Sequence, residues 1–591
     1  MMDPRIYRAA FAPVLFALVL LAFSLENRPR PLTTTLAPDA FDGSTAFRDA
    51  FGRGGLADRF ADRRPGSLGD EQLAGLVAGR MRGAGFSVRT RVRDGETIDG
   101  TRPLRTVIAE RTGTIDERVV VVAHRDAAGR RAAAELSGTA ALLELARVFG
   151  SPRQTRHTLM LVSTSGGSGG AAGAAALADE LGRGPVAAVL VLGDLASSKV
   201  LPPFVSPWSD ALGASPPRLR GTLQEAVRSE TGTGAEPPRA LSQFMRHALP
   251  ATYGEQGVLL ARGLPAVLLS VGGDVPPAAQ APISRARLQS FGRVALRTVT
   301  ALDAAPTRRA LGAQATSSDL LTNRKVLPGW AVRLFTGALL LPPLLAAVDA
   351  FAAVRRHRGR ILPWLRWTLV WALPFALAAL FAVALRLTGL LTAAPGAPSS
   401  PQALPVQIPA LLAVALAFVL AWAWLRPLVM PLVRAGGDLA EPGAGSMVML
   451  VALTTTIALW VGNPYAAALV IPAMHAGLFA LASQLRVRRA ARLAAVALGA
   501  VPLAVVAIAL SRALGLDALD ALWVGLLLVA GGHVSLLGVA LWSLLAGCAA
   551  GALRIAARRE ANVEQAPITV RGPRTYAGPG SLGGTKSALR R

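Results

Sequence analysis

One cysteine, Cys548, stands in 591 residues. No intramolecular disulfide can form and no CxxC zinc site exists, so cysteine usage carries no information on redox compartment. Lysine is nearly as scarce: Lys199, Lys325 and Lys586 are the three among 62 basic residues. The others are arginine, a skew that, with so much Ala, Gly and Pro, reflects GC-rich coding. Charged residues make up only 17%, against roughly 25% in a soluble globular chain. With 52% hydrophobic residues and a mean hydropathy of +0.43, part of the chain must reside outside water. A purely soluble protein is excluded. The net charge of +26 would suit nucleic acid. Many arginines flank apolar runs, however, so the charge is read as a membrane topology signal and no nucleic-acid partner is expected.

What is present divides the chain into four parts. Residues 1–24 hold an apolar run, Ala9 to Ser24, behind Arg5 and Arg8. Ala22-Phe23-Ser24 leads into Leu25, Glu26 and Asn27, a poor cleavage site, so the run reads as an uncleaved signal anchor rather than a removed signal peptide. Residues 25–327 have ordinary soluble character. Apolar strands at Arg118–Ala123, His157–Ser163, Val186–Leu192 and Leu264–Ser270 alternate with helical patterns at Glu135–Phe149, Ala171–Leu181 and Arg285–Leu302. This predicts a three-layer α/β domain with a mixed, mostly parallel sheet. Five prolines between Pro202 and Pro217 predict a long irregular insertion.

Residues 328–554 turn lipid-like, with spans expected near 329–354, 364–385, 408–432, 446–462, 466–485, 493–511 and 533–553, an all-α bundle of about seven helices. Each is about 17–26 residues, enough to cross a roughly 30 Å hydrocarbon core. The stretch 519–553 is ambiguous between one span and two. Basic clusters follow alternate spans: Arg355, Arg356, Arg358 and Arg360; Arg426 and Arg434; Arg486, Arg488, Arg489 and Arg492; Arg554, Arg558 and Arg559. The positive-inside rule then places both termini and the basic tail 555–591 in the cytoplasm, and domain 25–327 outside a cell membrane. Within the bundle Asp349, Arg386, His475 and His533 are polar candidates; snorkelling suits the first two, and an interhelical hydrogen bond suits His475.

The strand ending in Ala123-His124-Arg125-Asp126, followed by Ser137-Gly138-Thr139-Ala140-Ala141-Leu142-Leu143-Glu144, resembles the co-catalytic zinc aminopeptidase family, peptidase family M twenty-eight. The likeness continues through Leu159–Thr164 with Ser165-Gly166, Gly170–Gly173, Val189–Asp194 and Gly263–Ala266. The resemblance implies two zinc ions bridged by a carboxylate, a glutamate general base, and His and carboxylate ligands. His124 matches the first metal histidine, Asp126 its orienting aspartate, and Asp194 a carboxylate ligand. Three matches fail: Ala134 stands where the bridging aspartate belongs, Gly167-Ser168 replace the adjacent base and ligand, and Gln256 replaces the last histidine. Glu135 and Glu255 lie one residue from two of these positions, and such a slip usually aims the side chain elsewhere.

His124 and Asp194 are therefore expected to be a polar pair in a degenerate pocket, together with Ala134, Glu135, Gly167, Ser168, Glu255 and Gln256. No catalytic residue and no cofactor are expected, zinc being the alternative. His157 and His247 read as surface or packing residues. The Gly-rich run Ser165–Gly170 lacks the lysine of a phosphate loop. The layout also resembles degenerate membrane-bound members of the family, such as the attachment subunit of GPI-anchor transamidase. It implies a non-catalytic protein that binds polypeptide or scaffolds a partner membrane protein in contact with lipid. An active metallo-exopeptidase with displaced ligands, and a transporter or lipid-handling protein, are the alternatives.

Overall fold

The computed structural model describes residues 4–34, 38–151, 154–182, 184–233, 239–306, 316–391, 395–481 and 488–558. Arg486, Arg559 and all but the start of the expected tail 555–591 lie outside these residues.

Seven strands form one sheet: β1 (Ser87–Thr97), β2 (Gly100–Arg111), β3 (Ile115–His124), β4 (His157–Thr164), β5 (Val186–Leu192), β6 (Val205–Ser206) and β7 (Ala266–Leu269). Their order is β1-β2-β4-β3-β5-β7-β6. The central strands β4, β3, β5 and β7 pair in parallel, with Val122 opposite both Val162 and Val191. The edges β1, β2 and β6 pair antiparallel. The sheet is mixed and mostly parallel, as expected.

Side chains alternate along a strand, so β3 feeds two cores. Val119, Val121 and Ala123 join Leu142 and Leu145 of α3 (Ser137–Phe149) and Val294 of α8 (Arg285–Asp303). Val120 and Val122 join Ala174 and Leu177 of α4 (Ala172–Leu181) on the other face, with α5 (Pro217–Thr231), α6 (Ala240–Ala248) and α7 (Glu255–Ala261) following along the chain. With both faces covered, the continuous apolar run is what the position demands. Each Val or Leu among these, fully buried, stabilises by about 1.5–3 kcal/mol. On the first face, α2 (Leu68–Gly83) starts where the Ser67 hydroxyl accepts from the Asp70 N–H, and it buries Leu73, Val77 and Met81.

Two features differ from the sequence reading. The β1–β2 hairpin had no expectation, because its exposed strand β1 carries Arg89, Arg91 and Arg93 instead of an apolar run. The proline-rich stretch 202–217, read as irregular, contributes β6 at the sheet edge.

Eight helices among the described residues are long and apolar enough to cross a membrane. They are α1 (Arg5–Phe23), α9 (Gly329–Arg356), α10 (Leu362–Leu387), α11 (Ile408–Leu432), α12 (Pro442–Gly462), α13 (Pro464–Leu481), α14 (Arg489–Ala513) and α16 (Leu536–Ala556). The ambiguous stretch resolves into a shorter apolar helix, α15 (Ala518–Ala530), followed by α16. At 13 residues α15 falls short of a span. His475 is bonded between helices: its Nδ1 lies 2.8 Å from the Tyr7 hydroxyl and its Nε2 3.1 Å from the Leu339 carbonyl.

The α/β part sits on one end of the bundle. Glu26–Asn27, leaving α1, pairs with Lys325–Leu327, entering α9, so the two chain crossings are joined by a small sheet. Asn463, between α12 and α13, donates from Nδ2 to the His247 carbonyl at 2.8 Å. His533 Nε2 lies 3.1 Å from the Pro250 carbonyl. Arg386, at the end of α10, pairs with Glu96 of the hairpin at 2.5 Å.

Candidate functional site

The carboxyl end of β3 places His124 at the sheet mouth, where open α/β sheets bind ligands. Thr139 Oγ1 donates to the His124 carbonyl at 2.8 Å, fixing the strand end against α3. His124 Nδ1 lies 3.2 Å from the Asp126 carbonyl and 3.6 Å from Asp126 Oδ1. Asp126 is fully buried and accepts from the N–H groups of Gly167 and Ser168, at 3.1 and 3.0 Å, and from Ser168 Oγ at 2.6 Å. The loop that would carry a base thus serves to hold Asp126.

One cavity gathers His124, Glu135, Gly167, Ser168, Asp194 and Glu255, with Tyr253, Ser270, Asp274 and Val275. Ala134 and Gln256 are not in its lining. Their neighbours Glu135 and Glu255 are, the reverse of what the one-residue slip suggested. The reason is local. Ala134–Leu136 form a tight 3-10 turn that buries Ala134 and presents Glu135. Glu255 and Gln256 begin the short helix Glu255–Ala261, where adjacent residues point about 100° apart. Gln256 accordingly turns away, its Nε2 donating to Thr252 Oγ1 at 2.9 Å. Thr252 in turn donates to Asp274, which pairs with Arg246 at 2.7 Å.

The charges are coupled. Burial opposes the charged form of His124, but its contact with Asp126 and the fields of Glu255 and Glu135 outweigh this and raise it to about 9. Asp126 moves the opposite way: burial would raise it, yet His124 and Ser168 hold it below the ordinary carboxylate range. Burial lifts Glu135 to about 7. It raises Glu255 and Asp194 as well, against the bonds each accepts. Glu255 accepts from Thr164 Oγ1 at 2.6 Å, while its second oxygen and one oxygen of Glu135 have no hydrogen-bond partner. Asp194 Oδ1 is occupied by the N–H groups of Ala196 and Ser197, both at 2.9 Å.

The other histidines lie elsewhere. His157 is buried at the far end of β4, its Nδ1 3.0 Å from the Asp303 carbonyl. His247 is buried against the Tyr465 ring, 4.9 Å between centroids. Both have packing roles.

Pro398, Ser399 and Ser400, from the connection between α10 and α11, complete the cavity. No sequence signal links that segment to His124, more than 270 residues away.

Residues 106–239 match peptidase family M28. No curated protein sequence matches the chain. Among solved structures, glutaminyl cyclase of Porphyromonas gingivalis is 17% identical, with 44% of this chain and 98% of that one covered and a TM-score of 0.32. BSAP, a zinc aminopeptidase from Bacillus subtilis, is 13% identical over 46% and 96%, TM-score 0.34. A leucine aminopeptidase precursor from Bacteroides thetaiotaomicron is 14% identical over 45% and 99%, TM-score 0.34. What the fold and the family match define is an M28-like aminopeptidase domain joined to apolar helices that fit a membrane protein.

Zinc is the metal this class implies. Among the described residues, no three or more His, Cys, Asp or Glu gather closely enough to hold a metal ion. Asp194 Oδ1 is engaged by backbone N–H groups, whereas the His124 Nδ1 contact with Asp126 is the orienting contact that a metal-binding imidazole also makes. The residues as arranged do not fit a two-zinc centre. A side chain at Gly167 is also obstructed, since a methyl group there would fall 2.4 Å from His124 Cβ.

Proposed function

We propose that this is an integral membrane protein whose α/β domain lies outside the cytoplasm and binds polypeptide, or scaffolds a partner, without hydrolysing it. One observation carries the non-catalytic reading. At the position where the resemblance expects a general base, Gly167 packs against His124 and its N–H holds Asp126. Without a base at that position, the route by which the resemblance expects water to be activated is missing. On this reading the layout resembles the attachment subunit of GPI-anchor transamidase, with no GPI chemistry implied.

Charge supports the sidedness. Of the contacts that join the bundle to the α/β domain, those at Pro398–Ser400, Asn463 and His533 carry no arginine, and Arg386 at the end of α10 is engaged by Glu96. Arg355, Arg356, Arg434, Arg488, Arg489 and Arg554 gather at the opposite helix ends. Eight crossings return the chain to its starting side.

The second reading, an active exopeptidase with displaced ligands, draws on Glu135 and Glu255 sharing the cavity with His124 and Asp194. Elemental analysis of the purified full chain, paired with peptide hydrolysis, decides between them. The proposal expects under about a tenth of an equivalent of zinc, no hydrolysis, and binding of a fluorescent peptide pool, since a catalytic zinc site needs about three protein ligands. Near-stoichiometric zinc with hydrolysis, both lost in His124→Ala/Asp194→Ala, would overturn it.

A further inference from the structure

We infer that the described part of the α10–α11 connection, Pro395 to Leu404, is a strap seated over the cavity, and that a polypeptide enters only when the strap lifts. The inference rests on the polypeptide-binding reading. Connections between spans are normally exposed, yet Ser399 and Ser400 are each 4% exposed. Their seat is the glycine run of the α/β domain. A methyl group on Gly170 would fall 2.3 Å from Pro395 Cβ, and one on Gly169 would reach Ala403 Cβ at 3.6 Å and Ser399 Oγ at 3.7 Å. Ala397 packs against the core on that face of the sheet. The bare backbone of Ser165–Gly170, unexplained as a phosphate loop, is what lets the strap approach so closely.

The cavity beneath the strap is narrow, about 60 Å³, well short of the roughly 300–1,000 Å³ usual for ligand sites. It therefore has to widen before a peptide end can enter. With the strap seated, Glu135 Oε2, Glu255 Oε2 and Ser399 Oγ are buried without hydrogen-bond partners. A buried polar group without a partner is costly, so a ligand that bonds these atoms on entry would offset that cost. The ends are clamped. Arg386 pairs with Glu96 ahead of the strap, and Trp523 Nε1 donates to the Leu404 carbonyl at 2.8 Å behind it. Motion is thereby confined to the segment over the cavity.

The test uses the full chain with Cys548→Ala. Ser399→Cys should react with a charged maleimide ~100-fold more slowly than Leu390→Cys, because reaction requires local opening; Leu390 lies just ahead of the strap and is 73% exposed. Equal rates would overturn the seated strap. A second variant, Gly169→Cys/Ala403→Cys with Ile98→Ala to clear a contact at 2.3 Å, places the two Cβ atoms within the ~3.5–4.5 Å of a disulfide. Oxidised, it should lose binding of the fluorescent peptide pool and regain it on reduction. Undiminished binding in the locked form would overturn the gate. If Ser399→Cys is protected but no form binds peptide, the strap stands and the polypeptide reading falls.

Discussion

His124 Nδ1 and Asp126 Oδ1 stand 3.6 Å apart, and the same carboxylate is held by the loop at Gly167 and Ser168. His124, raised to about 9, is an imidazolium at neutral pH. A group that binds its proton more tightly folded than unfolded lends stability below its unfolded value and loses it as pH rises through the folded one. For His124 that window runs from about 6.5 to about 9. Glu135, raised from 4.5 to about 7, has the same sign over a lower window. Asp210, raised by burial to about 8, adds to both. The melting temperature of the detergent-solubilised protein should fall from pH 5 to pH 9. His124→Gln should flatten the upper part of the curve and Glu135→Gln the lower. A melting temperature that rises across this range would contradict the assignment.

Restoring a glutamate at the base position should fail. Gly167→Glu must move the loop away from His124, since its Cβ would sit 2.4 Å from His124 Cβ. Overpacking of this kind costs about 1–3 kcal/mol. Loss of the two N–H bonds to Asp126 would follow. Denaturant unfolding should show the loss, and a peptide hydrolysis assay should stay blank. A variant as stable as the parent would show that the loop has room.

The Arg246–Asp274 pair beneath Gln256 is nearly sealed from water, at 2.7 Å. Asp274→Ala leaves the guanidinium buried and unpaired, with Ser206 and Thr252 losing their acceptor as well. The expected destabilisation is about 3–5 kcal/mol, read by thermal unfolding. Asp274→Asn, which keeps an acceptor, should cost less. Equal losses for the two variants would show that the charge, not the hydrogen bonds, sets the cost.

Tyr7→Phe removes the 2.8 Å bond to His475 and keeps the ring contacts. Interhelical bonds of this sort contribute about 0.6–2 kcal/mol. A double-mutant cycle with His475→Phe, measured by unfolding in mixed micelles, should return a coupling in that range. A coupling of zero would leave α1 held by apolar packing alone.

Much of this fold was legible because burial writes itself into local pattern. Strand β5 was read at Val186–Leu192, the residues it occupies, because a strand covered on both faces is continuously apolar. The hairpin Ser87–Arg111 was not legible, since Arg89 and Arg105 pair with Glu110, Glu180 and Glu71, partners distant in sequence. His124, Asp126 and Asp194 could be named from strand ends. Glu135 and Glu255 could be named but not aimed, because a single turn of a 3-10 segment or helix decides which of two neighbours faces the cavity.

By itself the sequence determined a mixed α/β layer and apolar helices of spanning length. Both follow from residue type and spacing along the chain. Only the tertiary structure decided that Glu135 and Glu255 share a cavity with His124, that Gly167 closes on its ring, and that Ser399 completes the site. Those outcomes depend on which distant segments meet. Packing, and the need to satisfy buried polar groups, settle such meetings in three dimensions, and no local pattern records them.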